Sequence, residues 1–305
     1  MGGIIVSTAH AKSYLTSKFR PALRGRSKFV GAKAFTFARR RLKTFTLWHE
    51  YCLAVHWAGD RRDGDRDPFH GEDDSGMQML RKNAKQWIMR SGVGPFRPYV
   101  DAISAYSKYR DWLKENRGIN VFDRREPMYD FLNSQALAGG PIDYLEFGVY
   151  QGYTIEYWSR INKDPGSRFF GFDSFEGLPE DWSGAFVRVP KGTFNTGGVI
   201  PELDDSRVRF QKGWFQKSLP AFLESFRPMN RLVIHCDSDL YTSTLFVLCT
   251  LHPLLKPGSL ILFDEFSGAT DEFRAFVDYT SSFLQKFRVV AQVGNDCDQL
   301  AVEVI

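Results

Sequence analysis

No stretch of this 305-residue chain approaches the roughly 20 consecutive apolar positions of a membrane-spanning helix, so none is expected to cross a bilayer. Cysteine is scarce. Cys52, Cys236, Cys249 and Cys297 have neither zinc-like nor paired spacing, which speaks against a disulfide framework. They read as reduced thiols of a cytoplasmic protein, with Cys236 and Cys249 buried. Acid is absent from the first 49 residues, which hold eleven Lys and Arg. The remaining 29 basic and 36 acidic residues make a mildly acidic body, so the net charge of +4 hides a basic arm. The opening MGGIIVSTAH lacks the charged start and long apolar core of a secretory signal, and Val6 stands where a myristoylation motif needs Ser or Thr. An acid-free, Arg-containing start leaves an organelle transit peptide open. The 43% apolar and 25% charged composition is that of a soluble globular protein of one or two domains.

The pattern predicts a basic arm and amphipathic helix over 1–58, a polar linker over 59–76, a helical cap over 77–140 and an α/β domain over 141–305. In residues 32–57, Phe35, Ala38, Leu42, Phe45, Trp48, Cys52 and Val55 step by three or four and share one face, with Arg39, Arg40, Arg41 and Lys43 mostly elsewhere. Two readings stay open: peripheral contact with an anionic membrane or a partner, or a helix packed on the body or in a homo-oligomer. Basic charge without a reading motif gives no reason to expect nucleic acid. Asp63, Asp65 and Asp67 open like a calcium loop, but Pro68 replaces the glycine and Asp74 the final glutamate, which excludes one. Helices are predicted over 77–90 and 98–116. Asp123 and Glu126 then form a D-x-x-E capping box for a helix through Leu137.

Beyond Pro141 strands and helices alternate. Strands are predicted at 142–147, 168–172, 208–211, 232–236 and 259–263, followed by two period-2 runs, 287–293 and 299–305. The fold class is therefore α/β: a Rossmann-like, doubly wound, mostly parallel seven-stranded sheet with a C-terminal antiparallel hairpin, preceded by an α-helical extension. The segment IDYLEFGVYQG is a buried strand breaking into Gly148 and Gly152 just before a helix, a geometry that lets backbone N–H groups approach a bound cofactor. The loop 174–205 shows no clear pattern.

Ligands of an open α/β sheet sit at the carboxyl ends of its strands, and acids gather there: Glu146, Asp173, Asp237, Asp239, Asp264 and Glu265. Converging carboxylates repel and need a cation or donors to hold them. Asp173, ending the second strand, is placed to accept both hydroxyls of a ribose, or to cap a helix. Asp237, Asp264 and Glu265 offer three oxygen ligands to a hard cation such as Mg²⁺, or act as supporting and capping carboxylates.

LEFGVYQGYTI, FFGFDSFEGLPEDW, KGWFQKSLPAFL, IHCDSDLYTSTLFVL, LKPGSLILFDEF and DQLAVEVI, in that order, resemble the class I S-adenosylmethionine-dependent methyltransferases. The likeness is greatest to the macrocin O-methyltransferase-like group and covers about residues 125–305. It implies that Glu146, Gly148 and Gly152 form the first cofactor motif near the methionine moiety. Asp173 would hold the ribose, Ser174 and Phe175 would lie beside the adenosine, and Trp214, after Gly213, near the adenine. Asp237, Asp264 and Glu265 would match the metal carboxylates of the magnesium-dependent members. Leu240 stands where members acting on catechol-type phenols carry a lysine base, which favours a sugar-hydroxyl acceptor. A sugar hydroxyl needs a metal and a base to become nucleophilic. Asp239 is the candidate base, or else an acceptor that fixes the metal site; His235 reads as structural. The expected reaction is in-line methyl transfer to a hydroxylated, sugar-containing small molecule, with the 174–205 loop as lid or acceptor selector. Asp237-Ser238-Asp239 is also the D-x-D pattern of metal-dependent glycosyltransferases, and a non-catalytic binding domain is the other alternative.

Overall fold

The computed structural model describes residues 74–91, 96–116, 120–183 and 186–305. The basic arm, the amphipathic helix with its membrane or partner contact, and nearly all of the polar linker lie outside the described residues. The chain divides after Arg81, within the first helix, and the unit Lys82–Ile305 carries the sheet and the site.

In chain order, helices α1 (Asp74–Ser91) and α2 (Arg97–Glu115) precede strand β1 (Val121–Phe122), helix α3 (Arg125–Phe131) and a π-helical turn, Leu132–Ala136. Strand β2 (Ile142–Phe147), helix α4 (Tyr153–Ile161) and strand β3 (Arg168–Asp173) form the first βαβ unit. Strands β4 (Trp182–Ser183) and β5 (Arg188–Val189) lie in the long loop, followed by β6 (Val208–Lys212) and helix α5 (Phe215–Ser225). Strand β7 (Arg231–Cys236), helix α6 (Tyr241–Leu251), strand β8 (Leu260–Phe263) and helix α7 (Glu272–Phe283) complete the alternation. Strands β9 (Phe287–Val293) and β10 (Gln299–Val304) close the chain.

The main sheet has the order β1-β9-β10-β8-β7-β2-β3-β6. From β8 to β6 every pairing is parallel. β10 runs antiparallel to both β8 and β9. The predicted hairpin is thus present, with its second arm inserted next to β8. The seven expected strands gain an eighth, β1, a two-residue edge parallel to β9 that is too short to leave a periodic signal.

Period-2 alternation divides the core into two layers. Leu145, Phe147, Phe170, Phe172, Ile234 and Phe263 pack on one face with Trp112, Leu219, Leu248 and Phe276 from α2, α5, α6 and α7. Ile142, Tyr144, Phe169, Val233 and Leu262 pack on the other with Met128, Tyr129, Ile155 and Trp158 from α3 and α4. Trp112 makes ring contacts with Phe266, Phe273, Phe276 and Phe287, which fixes α2 against the C-terminal half.

Three expectations need correction. Asp123 does not cap α3: the N-cap is Arg124, in extended backbone and without a side-chain cap bond. The chain arrives extended from β1, and Glu126 accepts instead from the Tyr153 hydroxyl at 3.1 Å. The 174–205 loop is patterned: β4 pairs with β5, Glu176 bridges Asn195, and the Leu178 N–H donates to Thr193 O. Cys236 is buried as expected, but Cys249 is only half-buried and Cys297 is the second buried thiol. Among the described residues no helix is long and apolar enough to cross a membrane.

Candidate active site

The glycine turn after β2 is set by what lies against it. Gly148 has φ +95°, and a Cβ there would stand 1.8 Å from the carbonyl oxygen of Asp237, a position no side chain can take. The Asp237 N–H donates to Phe147 O at 2.9 Å and the Asp264 N–H to Cys236 O at 3.0 Å, so the ends of β2, β7 and β8 are tied in sequence. Gly152, at φ +84°, is the N-cap of α4, and no side chain caps its first turn.

Asp173 ends β3 beside this turn. Its Oδ2 accepts the Val149 and Tyr150 N–H groups at 2.8 and 2.9 Å, and its Oδ1 accepts the Phe175 N–H at 2.7 Å. A carboxylate has about four acceptor positions. Three are used by backbone, so the expected acceptance of both ribose hydroxyls is narrowed to one open position on Oδ1. Ser174 turns inward: its hydroxyl accepts from the Glu176 N–H and donates to Gly177 O. Phe175, at φ +60°, has its ring buried against Phe210, and its carbonyl accepts from Gly198 N–H. The Gly213 N–H donates to Asp173 O, which brings half-buried Trp214 to the start of α5 beside the same strand end.

Glu146 points to the opposite face of β2 from Phe147 and is fully buried. The Tyr144 hydroxyl donates to Glu146 Oε2 at 2.7 Å and shares a 2.7 Å hydrogen bond with His235 Nδ1. Burial pushes the Glu146 carboxyl up to about 8, against the opposing pull of the Tyr144 bond. Burial also lowers His235 to about 4, so it is neutral near pH 7, and Tyr129 packs edge-on to its ring. These contacts agree with a structural His235.

The acids after β7 and β8 crowd one another. Burial raises Asp237 well above the usual carboxylate range, and Asp264, Asp239 and Glu265 raise it further. Burial raises Glu265 well above the usual carboxylate range, and Asp239 raises it further. Asp239 sits in the left-handed region at φ +60°, a strained conformation of the kind found at functional turns. Leu240 is buried as the N-cap of α6, so no lysine takes its place in the cleft.

Asp264 is held in a way its sequence neighbours do not announce. Arg125 Nη1 donates to both of its oxygens at 3.3 Å, Gln299 Nε2 donates to Oδ1 at 2.7 Å, and the Tyr129 hydroxyl lies at 3.4 Å. Arg125, Tyr144, Gln299 and Glu272 were not legible as site residues. Glu272 is fully buried and accepts the Glu265 N–H at 3.0 Å. Only Tyr144 had a signal, its shared strand face with Glu146.

The donor set is hard oxygen, as a divalent cation requires. Buried Glu265 Oε2 and His235 Nε2 have no hydrogen-bond partner, and the acids raise one another, so the chemistry of the cluster fits a cation. As placed, however, no three His, Cys, Asp or Glu side chains among the described residues close round a single ion. Asp264 is turned to Arg125 instead.

A family profile described as a methyltransferase domain matches residues 145–266. The 8-demethyl-8-(2,3-dimethoxy-alpha-L-rhamnosyl)-tetracenomycin-C 4'-O-methyltransferase of Streptomyces olivaceus is 29% identical over 180 residues, 52% of this chain and 66% of that enzyme. The demethyldecarbamoylnovobiocin O-methyltransferase of Streptomyces niveus is 33% identical over 199 residues, 57% of this chain and 74% of that enzyme. The solved structure of the O-methyltransferase NovP is 22% identical, with a TM-score of 0.46 over 59% of this chain and 78% of that one. These matches do not favour the glycosyltransferase or non-catalytic alternatives. On the identity and coverage of the novobiocin enzyme, the chain belongs to the class I S-adenosylmethionine-dependent O-methyltransferases.

Proposed function

We propose that this protein transfers the methyl group of S-adenosylmethionine to a hydroxyl of a sugar or glycosylated small molecule, with Mg²⁺ at the acceptor site. The observation that carries the proposal is the contact between Gly148 and the Asp237 carbonyl. It sets the turn fitted to a cofactor directly against the acids fitted to an acceptor. The names of the tetracenomycin and novobiocin enzymes support a glycosylated natural product as acceptor.

When bound, S-adenosylmethionine would supply an electrophilic methyl group, and Asp237, Asp264 and Glu265 would hold a Mg²⁺ able to lower the pKa of an acceptor hydroxyl. The chain's own work is positioning and proton transfer. Gly148, Gly152 and the open acceptor position of Asp173 shape and orient the cofactor cleft. Trp214 flanks it beyond Gly213. Asp239, at the strained turn after β7, takes the acceptor proton. The segment just before β4 is tied to α6 by the Thr242 hydroxyl donating to Glu180 at 2.8 Å, and in this proposal the loop it belongs to acts as the lid.

The test is transfer of a labelled methyl group from S-adenosylmethionine to a panel of rhamnosylated and other glycosylated acceptors, with Mg²⁺ or with EDTA. Mg²⁺-dependent labelling of a sugar hydroxyl supports the proposal. Labelling of a nitrogen or of a free phenol alone contradicts the acceptor class, and full activity in EDTA contradicts the metal.

A further inference from the structure

Arg125 lies between two acids, Asp264 at the end of β8 and Glu126 beside it on α3. Beyond Asp264, its Nε is 3.9 Å from Glu126 Oε1, and its guanidinium lies over the Tyr153 ring, 5.3 Å from the centroid. Asp264 Oδ1 also faces His235 Nε2 at 3.9 Å, a fully buried nitrogen with no hydrogen-bond partner. The contact of Arg125 with Asp264 is loose: one nitrogen reaches both oxygens at 3.3 Å, where a forked pair brings two nitrogens to about 2.8 Å. The Asp143–Arg168 pair in the same protein shows the tight form, with Nε and Nη2 each at 2.7 Å. The guanidinium thus has a weak grip on Asp264 and a second set of partners, Glu126 and Tyr153, on its open side.

We propose that Arg125 is the stand-in cation of the acceptor site: it holds Asp264 while no divalent ion is bound, and shifts to Glu126 and Tyr153 when one arrives. The inference rests on the metal site of the proposed function and deepens it. It explains why the acids carry the chemistry of a cation site without being gathered round one point. A guanidinium and a divalent ion on the same Asp264 oxygens repel each other, so the two compete for the carboxylate. A guanidinium that yields keeps the empty cluster from flying apart, at the cost of competing with the ion.

The test is a titration of the full chain with Mn²⁺, read as loss of the free-ion signal in electron paramagnetic resonance, with S-adenosylhomocysteine binding checked in each variant. R125Q is expected to bind Mn²⁺ about fivefold tighter than wild type, the scale of one partly exposed ion pair. E126Q removes the alternative partner and is expected to bind about two- to threefold weaker. R124Q removes an exposed neighbouring charge and is expected to leave affinity unchanged within about twofold, which separates competition at Asp264 from net charge. Equal or weaker Mn²⁺ binding by R125Q, or equal tightening by R124Q, overturns the inference while leaving the metal site standing. Failure of every form, wild type included, to bind Mn²⁺ while S-adenosylhomocysteine still binds overturns the metal site and the inference together. Should R125Q fail to fold, E126Q with its opposite sign decides the matter.

Discussion

Gly148 rests against the carbonyl oxygen of Asp237, at a distance where a single added carbon would overlap it at 1.8 Å. The strand carrying the cofactor turn and the strand carrying the acceptor acids are locked together by this contact. Gly148→Ala is therefore expected to part them. It should cost at least about 2 kcal/mol of stability, since both the positive φ and the overlap oppose a side chain. S-adenosylhomocysteine binding should weaken with it. Thermal unfolding and calorimetry measure both, and an alanine variant with unchanged stability and affinity would contradict the contact.

A second prediction concerns the other end of the sheet. Asp143 is fully buried and accepts from Arg168 twice, from the Met229 and Asn230 N–H groups, and from the Asn230 side chain. Asp143→Ala leaves a partly buried guanidinium and two N–H groups unpaired and is expected to cost about 3–5 kcal/mol. Burial alone would raise the Asp143 carboxyl, but the Arg168 and backbone bonds outweigh it and hold the group below 3.8. A depressed folded pKa gives stability that is present above pH 4 and lost as pH falls through the folded value. Chemical denaturation from pH 7 to pH 3 should show that loss in wild type and a smaller one in the variant.

Glu146 has the opposite sign. Its folded pKa is about 8 against an ordinary 4.5, so its contribution is fully present below pH 4.5 and lost as pH rises to about 8. Glu146→Gln keeps the shape and stays neutral. It is expected to remove up to about 1.4 kcal/mol per pH unit from the decline in stability between pH 5 and pH 8. The same decline in both proteins would show that Glu146 does not cause it.

The succession of strands along the chain, the parallel half-sheet and the acids at the strand ends were legible because each leaves a local signal. Leu145 and Phe147 alternate with Tyr144 and Glu146, and glycines punctuate the strand ends. Arg125 was not legible: 139 residues separate it from Asp264, and no periodicity links them. Gln299 was hidden in the same way, since its place beside Asp264 follows only from β10 inserting next to β8. Asp123 and Glu126 fit a capping box by spacing, yet the two-residue pairing of β1 with β9 and the Tyr153 hydroxyl decide the local geometry. Phe175 was placed beside the adenosine by the resemblance alone, and no pattern in the sequence announced the burial of its ring.

Asp239→Asn is expected to lower kcat by about 100-fold or more, the scale of a lost general base. S-adenosylhomocysteine affinity should stay within about twofold, because the side chain that accepts the proton does not shape the cofactor turn. A parallel loss of affinity would assign Asp239 to structure rather than to proton transfer.

The central claim, that the β2 turn and Asp173 bind S-adenosylmethionine, is tested most directly by calorimetric titration of S-adenosylhomocysteine into wild type and Asp173→Ala. Dissociation in the micromolar range for wild type, weakened about tenfold or more in the variant, is the predicted result. No binding to wild type, or equal binding to both, would contradict the account.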